Sequence, residues 1–266
     1  MGTTLGRTLA ASGHRVRWLE AGRSRATRER AESAGFRAYG DLDALLGGVD
    51  LVVSVCPPDA AVTVAEAVAR AGFTGVYLDA NAISPENARR IEMLFGERMV
   101  DGGIIGPPAL RAGTTRLYLS GHRACGTAAL FAAGPLDAVA LDGPIGAASA
   151  LKMCYAAFTK GSAALLLAVR ALAQAEKVSD ALLDEWATSQ PGLAERSEAA
   201  ARANAAKAWR FVAEMREIAR TFEAAGLPGG FHEAAALLYS RLAPLKDQDA
   251  ALAEVTARLL DGDVRG

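Results

Sequence analysis

The stretch VDLVVSVCPP, residues 49–58, constrains this chain more than any other. Its apolar residues run on without alternation, many are β-branched, and two prolines stop it. A strand of that kind is buried on both faces, which requires a parallel sheet covered by helices on each side. The flanking sequence supplies the helices. HRVRWLE reads as a strand, RATRERAESAG as a helix ending at Gly35, FRAYG as a short strand, and DLDALLGG as a short helix capped by Asp41. DAAVTVAEAVARAG is a helix and GVYLDAN a strand. SPENARRIEMLFG is a helix with Ser84 as cap and Pro85 at its first position. MVDGGIIGPPA, TRLYLSG and AVALDG read as further strands. Strand alternating with helix predicts an α/β, doubly wound (Rossmann-like) parallel sheet.

The grammar changes near Gly146. AASALKMCYAAFTKGSAALLLAVRALAQAEK predicts one long apolar helix, and the run from Leu193 to Gly226 predicts a second. Phe211, Met215, Ile218 and Phe222 recur at three- and four-residue spacing and mark its buried face, with Gly226 and Pro228 ending it. Shorter helices are expected at His232 to Leu242 and Gln248 to Leu260, and no strand after Asp142. The expected organisation is an α/β domain over residues 1–143 and an all-helical domain over 144–266.

Charge and cysteine usage narrow the function. The net charge of −1 argues against a general nucleic-acid binder. The longest uncharged stretch, Ala124 to Leu136, has 13 residues, short of the roughly 20 that span a membrane. The three cysteines, Cys56, Cys125 and Cys154, are widely spaced, which fits a reducing, cytoplasmic compartment and gives no zinc motif. The three histidines lack metal-ligand spacing, so no metal is expected.

The first residues, MGTTLG, read as the end of a Gly-rich turn opening a helix. Glycine lets backbone approach a phosphate, and the first N–H groups of a helix face the anion. An ordinary helix start is the alternative reading. MGTTLGRTLAASGHRV resembles the β-hydroxyacid dehydrogenase superfamily, which contains 6-phosphogluconate and 3-hydroxyisobutyrate dehydrogenases and opens with a strand and GxGxMGxxLAxxLxxxGHxV. VVSVCPP, DANAISP, VDGGIIGPP and GPIGAASALKMCYAAF are similar, in order, to four later segments of that family. KAWRFVAEMREIARTFEAAGLPGGFHEAA resembles a little-characterised, 6-phosphogluconate dehydrogenase-like branch. The resemblance implies a further strand upstream of Met1, a segment on the ten-residue scale rich in Val, Ile and Gly. Without it, two neighbouring strands would keep unpaired backbone groups at about 1–3 kcal/mol each.

The resemblance implies a nicotinamide cofactor at Gly2, Thr3 and Thr4, with Cys56, Pro57 and Pro58 along the nicotinamide ribose. Glu20 ends the second expected strand, where an acid can hold the ribose 2′-OH of NAD. Arg23 and Ser24 follow at once and suit a 2′-phosphate, favouring NADP with NAD not excluded; solvation of a helix start is the alternative for the arginine. Lys152 lies where the family carries its catalytic lysine. Its neighbours Ala150, Leu151, Met153, Cys154, Ala156 and Ala157 make a charge there costly unless it faces a polar cleft. The expected activity is hydride transfer between nicotinamide and a small alcohol or hydroxy acid, or the matching carbonyl, with Lys152 as general acid/base. Substrate contacts are expected at Asn81, Ile105, Gly106, Tyr155 and Thr159, Asn81 also serving the nicotinamide amide. The family's Asn one turn beyond the lysine is Ala156 here, and its Ser-Gly-Gly reads Ile105-Gly106-Pro107, which puts recognition of a simple β-hydroxy acid in doubt. An imine reductase and a non-catalytic NAD(P)-binding sensor are the rival readings. The Ala- and Leu-rich face from Ala163 to Ala173 predicts a homodimer through the helical half.

Overall fold

The computed structural model describes residues 1–261. The chain divides into two compact units, Met1–Met153 and the part from Cys154 onward.

The first unit runs α1 (Gly2–Ala11), β1 (Arg17–Leu19), α2 (Arg25–Glu32), β2 (Arg37–Tyr39), α3 (Leu42–Leu46), β3 (Leu51–Ser54), α4 (Ala61–Arg70), β4 (Val76–Asp79), α5 (Pro85–Phe95), β5 (Met99–Ile105), β6 (Thr115–Ser120), α6 (Ala124–Ala129) and β7 (Leu136–Ala140). It ends in the first turns of α7 (Ala147–Ala175). Two helices start on the expected local caps Asp41 and Ser84, and α2 starts on Ser24, which had no such expectation. Ser24 accepts from the Thr27 N–H, Asp41 from Ala44, and Ser84 from Asn87, with Pro85 following. Each side-chain oxygen satisfies a first-turn N–H that the helix itself cannot.

The strands form two sheets. β1 and β2 pair in parallel, and the other five run in the order β3-β4-β5-β6-β7. Every pairing in the larger sheet is parallel except β5 with β6, because the short connection from Ile105 to Thr115 reverses the chain. The TRLYLSG strand thus departs from the wholly parallel reading. β3 departs too. Expected to be fully buried, it leaves Leu51, Val52 and Val53 half-buried, because it is an edge of its sheet, bonded to β4 alone. Alternate residues divide the core between the two faces. Leu78 and Val100 pack with Leu5, Leu9, Leu117 and Phe131, while Tyr77 and Met99 pack with Ile83, Ile91 and Phe95.

The second unit contains the rest of α7, then α8 (Ser179–Ser189), α9 (Leu193–Asn204), α10 (Ala208–Ala224), α11 (Gly230–Leu242) and α12 (Leu252–Leu260). The helix expected from Leu193 to Gly226 is broken by a 3₁₀ turn at Ala205–Lys207. The Asn204 side chain donates to the Ala200 carbonyl, and the Ala206 carbonyl accepts from Asp247 instead of continuing the helical ladder. α8 has no counterpart in the sequence reading. Met215 and Ile218 are buried as expected, and Phe211 meets Tyr239 edge-on. By length and composition α7 is apolar enough to cross a membrane, yet it carries an ion pair, Lys160 with Glu214, inside this unit. The Tyr239 hydroxyl also donates to the Lys160 carbonyl at 2.8 Å.

Candidate active site

Strand register lines up four polar residues across the sheet. Ser54 pairs with Asp79, Asp79 with Asp101, and Asp101 with Ser120. All four are buried, Asp79, Asp101 and Ser120 completely. Buried polar groups on neighbouring strands must bond to something, and this row organises the carboxyl ends of β3 and β4 and the start of α7.

At the β3 and β4 ends the organiser is Asn81. Its amide donates to Asp79 at 2.8 Å and to the Ser54 hydroxyl at 3.0 Å, its carbonyl oxygen accepts the Cys56 N–H at 2.5 Å, and its own N–H donates to Asp79 at 3.0 Å. Asn81 therefore supports the Cys56-Pro57-Pro58 turn from within, and its buried amide is committed to the protein. Burial pushes the Asp79 carboxyl up to about 7, against the opposing effect of the Asn81 donors and with the help of the Asp101 charge. Burial likewise pushes the Cys56 thiol up, outweighing the Ser54 hydroxyl and the positive charge of Arg23.

The residues of the expected cofactor cradle come from separate segments of the first unit. Arg23 and Ser24 are exposed, Ser24 capping α2. Arg25 is engaged by Glu29 at 2.7 Å. Glu20 is half-buried and accepts the Arg23 N–H through its carbonyl, forming the turn after β1. Gly2 is exposed at the start of α1, and a Cβ on it would lie 3.8 Å from Val55, immediately before the Cys56 turn. Thr3 is half-buried, whereas Thr4 turns inward and donates its hydroxyl to the Met1 carbonyl at 2.8 Å. Exposed backbone at a helix start, beside the residue that precedes a proline turn, is a fitting donor set for a dinucleotide phosphate.

Lys152 is half-buried in the first turns of α7. β5 passes directly beneath it. A Cβ on Gly103 would stand 3.1 Å from the Lys152 Cβ and 2.5 Å from the Ala148 carbonyl oxygen. Only glycine lets the strand and the helix approach this closely. Ile105 is buried at the end of β5. Gly106 has φ +123 and would place a Cβ 2.3 Å from the Thr114 carbonyl oxygen. The Pro107 carbonyl accepts from Thr115 at 2.6 Å, so the loop is tied back to β6. In the second unit Tyr155 and Thr159 are both exposed, and the Thr159 hydroxyl donates to the Tyr155 carbonyl at 3.0 Å. His232 is buried beside Phe222 and Phe231. Among the described residues no group of three or more His, Cys, Asp or Glu is arranged to hold a metal.

Asp79 and Asp101 lie within DANAISP and VDGGIIGPP but are not among the site residues expected from the sequence. A carboxylate inside an otherwise apolar strand was the available signal. Its partners Ser54, Ser120 and Ser149 are ordinary serines until register and packing bring them near.

A domain of unknown function, DUF1932, matches residues 173–242. An uncharacterised 28.5 kDa protein of Methanothermus fervidus is 32% identical over 165 residues, which is 61% of this chain and 63% of that protein, less than two thirds of its length. Among solved structures, the conserved protein MTH1747, of unknown function and similar to 3-hydroxyacid dehydrogenases, is 26% identical with a TM-score of 0.66, over 90% of this chain and 92% of that one. The 3-hydroxyisobutyrate dehydrogenase of Mycobacterium tuberculosis, solved with L-serine, has a TM-score of 0.67 at 17% identity, over 98% and 94% of the two chains. Psf3, solved with NADP+ and 2-OPP, has a TM-score of 0.60 at 18% identity, over 97% and 96%. The fold is thus one that nicotinamide-dependent oxidoreductases use. The chain is similar in fold to 3-hydroxyacid dehydrogenases.

Proposed function

We propose that this protein is an NAD(P)-dependent oxidoreductase that interconverts a small alcohol or hydroxy acid and the matching carbonyl compound, with NADP the preferred cofactor. The observation that carries the reading is the placement of Lys152 in the first turns of α7, against Gly103, in the same unit as the fitting dinucleotide cradle. The exposed first turn of α1 at Gly2 and Thr3 would hold the pyrophosphate, Arg23 and Ser24 the 2′-phosphate, and the Cys56-Pro57-Pro58 turn the ribose. A nicotinamide bound there supplies the hydride acceptor or donor. In the oxidative direction the Lys152 amine takes the substrate hydroxyl proton as the C–H bond breaks; in reduction its ammonium returns that proton to the carbonyl oxygen. Asn81 keeps the turn in place, so that cofactor contact does not depend on a mobile loop. A dinucleotide-binding unit that includes the first turns of α7, a helical unit after it and a cytoplasmic location belong to the same proposal, the last supported by three free cysteines.

Titration of NADPH and NADH by nicotinamide fluorescence tests the cofactor. NADPH is expected to bind about tenfold more tightly, and Arg23→Ala to erase that preference with little change for NADH. Failure of both nucleotides to bind would discard the reading. Binding without turnover across 3-hydroxyisobutyrate, L-serine and short hydroxy acids would select the non-catalytic sensor instead.

A homodimer through the helical half is part of the proposal. Tyr155, Phe158, Leu165 and Leu172 follow one another along α7 at steps of three and seven residues, and Phe158 is 71%, Leu172 59% and Leu165 51% exposed. That spacing makes one apolar seam, which water does not favour leaving open. Light scattering is expected to give about twice the 27.6 kDa chain mass. Phe158→Glu with Leu165→Glu is expected to give the single-chain mass, and an unchanged mass would place the interface elsewhere.

A further inference from the structure

The sequence at the start of α7 is GPIGAAS, and the N–H groups of Gly146, Ala148 and Ser149 find partners on the sheet. The buried Asp101 carboxylate accepts from the Gly146 N–H at 2.9 Å, the Ser149 N–H at 3.0 Å, the Ser149 hydroxyl at 2.5 Å and the Ser120 hydroxyl at 3.0 Å. The Ser120 oxygen in turn accepts the Ala148 N–H at 3.0 Å. The Ala147 N–H donates to the Pro144 carbonyl at 3.1 Å, and the Ala150 N–H to Gly146 at 2.8 Å, where the regular ladder begins. Two strand residues thus hold the opening of the helix, and a carboxylate sits at its positive end. Two residues further along β5, on the same face as Asp101, is Gly103, the glycine that fits under Lys152.

We propose that Asp101 is a positioning residue for Lys152: with Ser149 and Ser120 it clamps the start of α7 to β5 and β6, and Gly103 sets how closely the lysine approaches the sheet. The proposal rests on the reading of Lys152 as the proton carrier and says how that amine is placed. Four bonds to one buried carboxylate amount to more than a local cap needs. A misplacement of about 1 Å at a reacting group can cost about a hundredfold in rate, so a clamp one turn before Lys152 acts where placement matters most.

The test uses the whole chain and the variants Asp101→Asn, Ser149→Ala and Ser149→Thr. Acetic anhydride labels amines, and peptide mass spectrometry gives the reactivity of Lys152 relative to Lys177 and Lys207 of the same molecules. Folding is followed by thermal melting and the cradle by NADPH affinity. In Asp101→Asn the relative reactivity of Lys152 is expected to change by at least about threefold, with NADPH affinity within about twofold of wild type. Ser149→Ala keeps the charge and removes one bond, so a smaller change in the same direction is expected, and Ser149→Thr, which keeps the hydroxyl, restores the wild-type ratio. Should Asp101→Asn fail to fold, the Ser149 pair decides. A relative reactivity equal to wild type in a folded variant of either residue, or a Ser149→Thr ratio no closer to wild type than that of Ser149→Ala, overturns the proposal. The labelling readout is independent of turnover, so it separates failure of the clamp from failure of the acid/base reading, which substitution of Lys152 itself measures.

Discussion

Lys152→Ala is expected to lower turnover by about 10²- to 10⁴-fold, the range spanned by a positioned general acid or base. That corresponds to about 3–5 kcal/mol of lost transition-state stabilisation. The proposed cradle residues Gly2, Arg23 and Cys56 lie outside α7, so NADPH affinity is expected to stay within about twofold of wild type. Lys152→Arg separates charge from proton transfer. Arginine keeps the positive charge but does not give up its proton in proteins, and it is expected to be as inactive as alanine. Small primary amines added to Lys152→Ala are expected to return part of the activity. The measurement is nicotinamide absorbance with the most active compound of the hydroxy-acid panel. Turnover in Lys152→Ala equal to wild type would remove the proton-transfer role altogether.

The second large effect is on stability and its pH dependence. The native Asp79 carboxyl is pushed up to about 7 by burial, against an ordinary value of 3.8. The native state therefore binds this proton more tightly than the unfolded chain does. Between about pH 4 and pH 7 the folded protein is the more protonated state at this residue, so raising the pH favours unfolding. The contribution is fully present below pH 4, is lost as pH rises through about 7, and is flat beyond. The gap sets an upper limit of about 4 kcal/mol. Asp79→Asn removes the titration while keeping the shape. It also replaces one acceptor oxygen by a donor, and the Asn81 amide loses a partner, at about 1 kcal/mol. The variant is expected to be less stable than wild type at pH 4.5 and more stable at pH 8, the two curves crossing between. Urea unfolding across that range measures it; curves that run parallel would show that Asp79 does not titrate in the folded protein.

These two residues mark the boundary between what is legible in a sequence and what is not. Lys152 can be picked out because GPIGAASALKMCYAAF resembles the family's lysine-bearing segment and the residues on either side of the lysine are apolar. Asp79 and Asp101 sit in strands with equally apolar neighbours, but their meaning depends on register. Shifting β4 against β5 by one residue would send the side chain facing Asp101 to the other side of the sheet and dissolve the row Ser54–Asp79–Asp101–Ser120. Asn81 illustrates the same point from the other side. Its residue type suits a ligand contact, and only packing shows its amide committed to Ser54, Asp79 and Cys56.

Local signals by themselves determined the alternation of strand and helix, the caps at Asp41 and Ser84, the long apolar α7 and the all-helical second half. Each rests on periodicity or on a side chain bonding three residues away, which the order of residues carries directly. Tertiary structure alone decided that the strands form two sheets, that β6 runs against β5, that the helix after Leu193 breaks at Ala205–Lys207, and that the start of α7 is capped from Asp101 and Ser120. Those outcomes depend on hydrogen bonds between residues as many as 48 positions apart, and such partners are chosen by the folded sheet rather than by neighbours along the chain.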